Sequence, residues 1–198
     1  MEIIKSIIVT LFVMIFTENI ALSRSLGTDT IVAVSKNRKS IFGFSAAVTY
    51  MCTAANILVW LVERNFRNAA DYRTYQPVFY ICILCVLYFV TIMLVWKFMG
   101  DRIESIRKYI HFAVFNSAVL GTMLLSSVDC RSLHEYIIYG LGSGLGYSLA
   151  LYLTASVYDR LNSERVPAAF RGYPLIMIYL GILSMAFFGL SGMPLGTF

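Results

Sequence analysis

Charge is scarce in this sequence. Only 14% of its 198 residues are Asp, Glu, Lys or Arg, where an ordinary soluble domain carries about 25%. Cysteine is limited to four residues and histidine to two. These shortages exclude a disulfide-stapled secreted module, a highly charged disordered chain and a soluble cytosolic enzyme. Also absent are a phosphate-binding glycine loop followed by lysine, a metalloprotease helix and a nucleophile triad. What fills the chain instead is apolar surface: 59% hydrophobic residues and a mean hydropathy of +0.73. A chain of 22.3 kDa has room for one domain, and most of this one belongs in a bilayer.

The few charges mark where the chain leaves lipid. Lys39 to Glu63, Arg73 to Lys97 and Glu135 to Asp159 each enclose 23 uncharged residues, and Lys108 to Asp129 encloses 20. From Arg171 the chain runs 27 residues to Phe198 without a charge. About 20 apolar residues cross the hydrocarbon core as a helix, so these are five spans. A sixth, shorter and interrupted, begins with the 12 uncharged residues Ser6 to Thr17 and continues past Glu18 to Arg24. It lacks the small-x-small site of a cleaved signal peptide. The expectation is an all-α integral membrane protein of six transmembrane helices, one membrane domain over 1–198 with no extramembrane domain. Eleven Lys and Arg fall in the first, third and fifth loops, five on the other side. By the positive-inside rule those loops are cytoplasmic and both termini lie outside. The net charge of +5 is explained by topology and anionic headgroups, and no nucleic-acid motif accompanies it.

The chain also halves. Spans two and five, centred on Met51 and Tyr147, are offset by 96 positions, and Asn19-Ile20-Ala21-Leu22 aligns with Asn116-Ser117-Ala118-Val119 at offset 97. Three helices per half make the second half enter from the opposite side. The expected architecture is two inverted three-helix repeats, about 1–98 and 105–198, with a working site near the midplane between them. The first span of each half is its most polar. Glu18, Asn19, Ser23 and Arg24 lie in one; His111, Asn116, Ser117, Thr122, Ser126 and Ser127 lie in the other. Such residues face protein or water. Asn19 and Asn116, matched across the halves, are the candidate functional pair, while Thr122, Ser126 and Ser127 suit interhelical hydrogen bonding. Gly140, Gly142, Gly144 and Gly146 leave two helix faces bare for close packing. Cys82 and Cys85 share a helix face among Ile, Leu and Val and behave as small hydrophobes, as does Cys52. Cys130 stands alone in a short loop, and the two histidines stand at no ligand spacing.

Asn116-Ser117-Ala118-Val119-Leu120-Gly121 resembles the Asn-Cys-Ala-Val-Leu-Gly element of one family of membrane subunits. That family comprises the A-type subunit of the Rnf electron transport complex and the E-type subunit of the sodium-translocating NADH:quinone reductase. Val166-Pro167-Ala168-Ala169-Phe170-Arg171-Gly172 is similar to the family's loop before the last span. Tyr139-Gly140, Gly144-Leu145-Gly146 and Ser148-Leu149 resemble its glycine helix, and Ala186-Phe187-Phe188-Gly189-Leu190-Ser191-Gly192 its C-terminal helix. Leu26-Gly27 and Val34-Ser35-Lys36 resemble its first cytoplasmic loop. The resemblance covers essentially the whole chain. It implies a six-helix protein of the cell inner membrane that pairs with an inverted sister subunit. The pair belongs to a complex of further redox subunits moving Na⁺ or H⁺ as electrons pass. It also implies a 2Fe–2S cluster shared by the sisters, each giving two cysteines.

Here those cysteine positions read Asp29 and Ser117, next to Gly27 and Asn116. Iron–sulfur clusters are held mainly by soft thiolates. An aspartate is a hard ligand, and a serine hydroxyl resists deprotonation. The expectation is a family scaffold whose cluster is absent or altered. Three functions follow: a non-catalytic subunit of an ion-translocating oxidoreductase complex, an ion or solute transporter paralogue lined by Asp29, Glu18 and Arg24, or an assembly subunit.

Overall fold

The computed structural model describes residues 2–66, 72–99, 103–164 and 166–190. Every regular element in it is helical. Helix α1 (Glu2–Phe12) runs into one π turn (Val13–Thr17), followed by α2 (Ile20–Ser23) and α3 (Thr28–Ser35). Then come two long helices, α4 (Arg38–Phe66) and α5 (Tyr72–Met99). The order repeats with α6 (Ile103–Val114) and α7 (Ser117–Asp129), then α8 (Leu133–Leu161) and α9 (Tyr173–Leu190).

Among the described residues, α4, α5 and α8 are long and apolar enough to cross a membrane. Two bent pairs qualify as broken spans, which makes up to five: Ile7–Ser23 with Thr28–Ser35, bent by 91°, and Arg107–Val114 with Ser117–Asp129, bent by 50°. The chain is a multi-pass, all-α membrane protein. Helix α9 supplies a shorter apolar stretch, and the rest of the expected last span, 191–198, lies outside the described residues. The segment expected as the first cytoplasmic loop contains helix α3. Its start is set by Gly27, whose φ of +74° turns the chain sharply with no Cβ penalty.

Helix α8 is the axis of the molecule, its apolar window 56% buried against 22% for α5. Its start is fixed by Glu135, whose carboxylate accepts the backbone N–H of Ser132 at 3.1 Å and of Arg131 at 2.6 Å. Its four glycines then serve two faces. A Cβ on Gly140 would lie 2.8 Å from Thr53 Cα, and one on Gly144 2.6 Å from Thr49 Cα, so α4 crosses here at backbone contact. On the other face, Gly142 admits Met14 and Gly146 admits Asn19. The alternate spacing therefore packs two neighbours at once. Thr53 meets Gly140 and Thr49 meets Gly144, while Arg38 reaches Asp159, so α4 and α8 run antiparallel.

Phe44, Val48, Met51, Tyr80, Met123, Tyr136, Tyr147 and Leu151 fill the core. Helices α5 and α9 flank it, burying Tyr80, and Ile176 and Leu180, on one side and presenting Phe89, Met93 and Trp96, and Ile182, Met185 and Phe188, on the other. Such a surface suits hydrocarbon. Before α9, the Val166–Gly172 loop is folded by Arg171, which donates to the carbonyls of Glu164 and Val166, both at 3.2 Å.

Candidate functional site: two capped breaks at the centre of a helix

Breaking a helix in a membrane exposes backbone groups that lipid cannot satisfy. In each bent pair an asparagine caps an interruption of the helix: Asn19 between the π turn and α2, ahead of the 91° bend, and Asn116 between α6 and α7. The Asn19 Oδ1 accepts the N–H groups of Ala21 (3.1 Å) and Leu22 (3.2 Å), opening α2. The Asn116 Oδ1 accepts the N–H of Ala118 at 2.9 Å, opening α7. These are N-caps, each satisfying donors the helix cannot. Their amide nitrogens turn to adjacent residues of α8. Asn19 Nδ2 donates to Gly146 O at 2.7 Å and Asn116 Nδ2 to Tyr147 Oη at 2.8 Å. Both asparagines are buried. Tyr147 is the fifteenth of the 29 residues of α8, so the two breaks meet at the mid-level of the helix.

The 91° bend brings Gly27 to the same place. Tyr147 Oη donates to Gly27 O at 3.0 Å, and the Gly27 N–H donates to Ser117 Oγ at 2.8 Å. Gly27 is enclosed: a Cβ there would run into Asn116 Oδ1 and come within 2.7 Å of Tyr147 Cε2. Gly27 and Ser117, 90 residues apart in sequence, thus form one cluster with Asn116. Asp29 stands two residues beyond Gly27, in the first turn of α3, where the helix dipole favours a carboxylate. Gly27 and Asn116 are buried; Asp29 and Ser117 are exposed. Arg24 is exposed as well, and none of the ion pairs among the described residues joins it to Asp29.

An iron–sulfur cluster does not fit these donors. Asp29 offers hard oxygens, and the Ser117 hydroxyl oxygen is already an acceptor for the Gly27 N–H. The four cysteines are elsewhere: Cys52 is buried in α4, Cys82 and Cys85 are on the exposed side of α5, and Cys130 follows α7. No group of three or more His, Cys, Asp or Glu suited to a metal ion occurs among the described residues.

Of the residues expected to bond between helices, Ser126 reaches Asn56 of α4 and Ser127 accepts from Gln76 Nε2 of α5 at 2.7 Å, whereas the Thr122 hydroxyl donates within its own helix. Thr122 donates to Ala118 O, Ser126 to Asn56 Oδ1 and Ser127 to Leu124 O, each at 2.7 Å. Two residues went unnoticed in the sequence. Tyr147 is one, marked there only as the centre of a span. Glu63 is the other: as a charge it read as the end of a span, yet it is buried. Tyr80 (2.8 Å), Tyr136 (3.2 Å) and Gln76 (3.3 Å) donate to its carboxylate. An acid and three distant donors carry no short-range pattern by which to find them.

A family model described as "Rnf-Nqr subunit, membrane protein" matches residues 7–194. The chain is 31% identical over 182 residues to the A-type subunit of the Na(+)-translocating ferredoxin:NAD(+) oxidoreductase complex of Acetobacterium woodii, covering 92% of this chain and 95% of that one. It is 31% identical over 179 residues to the A-type subunit of the ion-translocating oxidoreductase complex of Vibrio vulnificus, covering 90% and 93%. Against the protein of the same name from Shewanella loihica the identity is 32%, with the same coverage. With its two capped breaks closing on the centre of α8, this chain belongs to the Rnf-Nqr family of membrane subunits.

Proposed function

We propose that this chain is an integral membrane subunit of an Rnf-like or NADH:quinone-reductase-like ion-translocating redox complex, in which the cluster position has been rebuilt with oxygen groups. The family match and the names of its relatives support the assignment to such a complex. The observation that carries the rest is the meeting of two asparagine-capped breaks, one from each half, at Gly146 and Tyr147. That arrangement supports six spans as two inverted three-helix repeats, about 1–98 and 105–198, in one membrane domain. The reading is strengthened by α4 and α8, which are both 29 residues long and antiparallel. Each ends in a carboxylate met by the first turn of the other: Glu63 by Tyr136, and Asp159 by Arg38.

In this reading the exposed Asp29 and Ser117 lie on the face turned to an inverted sister subunit, because a carboxylate near mid-depth is costly against lipid. The described residues are almost all in helices, with no extramembrane domain for nicotinamide or flavin among them, which fits work inside a complex of further redox subunits. The cytoplasmic loops are those around Lys36, Arg102 and Arg165, which puts both termini outside an inner membrane. No observation favours the transporter reading over this one.

Purification in mild detergent through a tag on this chain, with iron and labile-sulfide analysis, tests the proposal. Flavoprotein and ferredoxin-like subunits should co-purify, and changing Asp29 or Ser117 to Ala should leave the iron and sulfide of the complex unchanged. The double variant Asp29→Cys, Ser117→Cys restores thiolates and should gain iron, sulfide and visible charge-transfer absorption if the sister supplies its own two. A chain that purifies alone and is active alone would overturn the assignment. Iron and sulfide lost from the complex on changing Asp29 or Ser117 to Ala would overturn the reading of the site.

A further inference from the structure

A groove of about 860 Å³ runs along the outside of the α4–α8 pair. Its walls are Ile41, Phe42, Ala46 and Thr49 of α4 and Leu145, Leu149, Tyr152 and Ala155 of α8, with Arg38, Ser45, Ser148 and Ser156 among them and Ile15 of the π turn lining it as well. These are stripes at helical spacing, so the groove follows both helix axes. Its floor is cut by small residues, and its rims are Phe42, 85% exposed, and Tyr152, 66% exposed. Three of the hydroxyls in it are spent on the helices themselves: Thr49 donates to Ser45 O at 2.9 Å, Ser148 to Gly144 O at 2.8 Å and Ser156 to Leu153 O at 2.7 Å. The floor therefore offers hydrocarbon and little else.

Charge gathers at one end only. There Arg38 donates to Asp159 at 2.7 Å, which uses one of the five N–H groups of its guanidinium. Arg160 continues the α8 stripe four residues beyond Ser156, and Lys39 is next to Arg38 in sequence. With Arg160 this end carries two guanidinium groups against the Asp159 carboxylate. From Arg38 to Thr49 the groove extends about 16 Å along the helix. That is about half of the ~30 Å hydrocarbon core, or one leaflet.

We propose that this groove binds an anionic glycerophospholipid, one acyl chain lying between α4 and α8 and the phosphate held at Arg38 and Arg160. A basic site between transmembrane helices at headgroup level is how proteins select anionic lipids. An apolar channel one leaflet deep matches the tail. The site is remote from Gly27 and Ser117 in sequence and shares no residue with that cluster, so it stands whether or not the redox assignment does.

The test uses the full chain, delipidated in mild detergent and returned to nanodiscs of phosphatidylcholine with or without phosphatidylglycerol. Native mass spectrometry should show phosphatidylglycerol retained about tenfold more strongly than phosphatidylcholine. The double change Arg38→Gln, Arg160→Gln should bring that preference to within about twofold. Ala46→Trp fills the groove from an exposed position and should lower retention of both lipids. Photoactivatable acyl-chain phosphatidylglycerol on the unmodified protein should label peptides from 41–49 and 145–156. Equal retention of the two lipids by the unmodified protein would overturn the proposal, as would labelling confined to α5 and α9. Loss of groove labelling in the purified complex would also overturn it, because a partner helix would then be the occupant.

Discussion

Tyr147 carries more of the site than any other single side chain. Its hydroxyl accepts from Asn116 Nδ2 and donates to Gly27 O, and all three groups are buried. Tyr147→Phe removes one oxygen and leaves the buried Asn116 Nδ2 without this acceptor, at a cost of about 1–3 kcal/mol, while the Gly27 carbonyl keeps only the Ile31 N–H at 3.1 Å. The variant should lose several degrees of thermal stability in detergent, measured by tryptophan fluorescence or light scattering; an unchanged transition would show that water replaces the phenol. Asn19 and Asn116 were legible because they sit in matched tetrapeptides. Tyr147 was not, since a tyrosine in an apolar helix reads equally well as lipid-interface or core. Cys130, beyond the end of α7, makes a second case. Burial, reinforced by the nearby carboxylates of Glu135, Asp129 and Glu63, pushes its thiol up to about 12. A raised thiol stays neutral and unreactive until high pH. In a variant lacking the other three cysteines, its alkylation rate should still be rising at about pH 10; a plateau near the ordinary thiol value of about 8.5 would contradict the burial.

Helix α8 tests what glycine is for. Gly140 and Gly144 lie at backbone contact with α4, whereas Gly181 in α9 has nothing within 4 Å of where a Cβ would be. Gly144→Val should therefore prevent the α4–α8 crossing and reduce the yield of folded protein severalfold, while Gly181→Val should be tolerated, as exposed substitutions usually are. Size-exclusion profiles of the two variants decide it, and a monodisperse Gly144→Val protein would show that the crossing tolerates separation. The packing role of this ladder was readable from its spacing, because small residues every four positions have that one strong use in a membrane. Helix α3 was not readable. Its eight residues follow a charged, glycine-containing stretch that has every mark of a loop, and the contacts of Gly27 with the second half, with Thr30, Ile31 and Ser35 buried beyond it, turn it back into the protein.

At the scale of the molecule, the uncharged intervals located the long helices to within a few residues. Scarce charge is a strong boundary signal where ionised groups are costly in lipid. The signal misjudged Glu63, which escapes the rule by being buried in protein among three donors. Orientation rests on the asymmetry of Lys and Arg. Single cysteines at Lys36 and Arg165, in a chain stripped of its native cysteines, should resist an impermeant maleimide in intact cells and react after lysis. Labelling before lysis would invert the whole arrangement.

The closing of the first break by residues from the second half has a consequence for biogenesis. Ser117 and Tyr147, which satisfy the Gly27 amide and carbonyl, are 90 and 120 residues further along the chain. Ser126, which meets Asn56, is 70 residues beyond it. At about 5–20 residues per second, the bent first span waits roughly 6–24 s for Tyr147 to be made. During that interval the Gly27 amide lacks its Ser117 acceptor and the Gly27 carbonyl has only the Ile31 N–H, so water or an insertase must cover the bend. A ribosome that stalls between α5 and α8 would leave a fragment whose first span cannot close, and that fragment is what membrane quality control would meet.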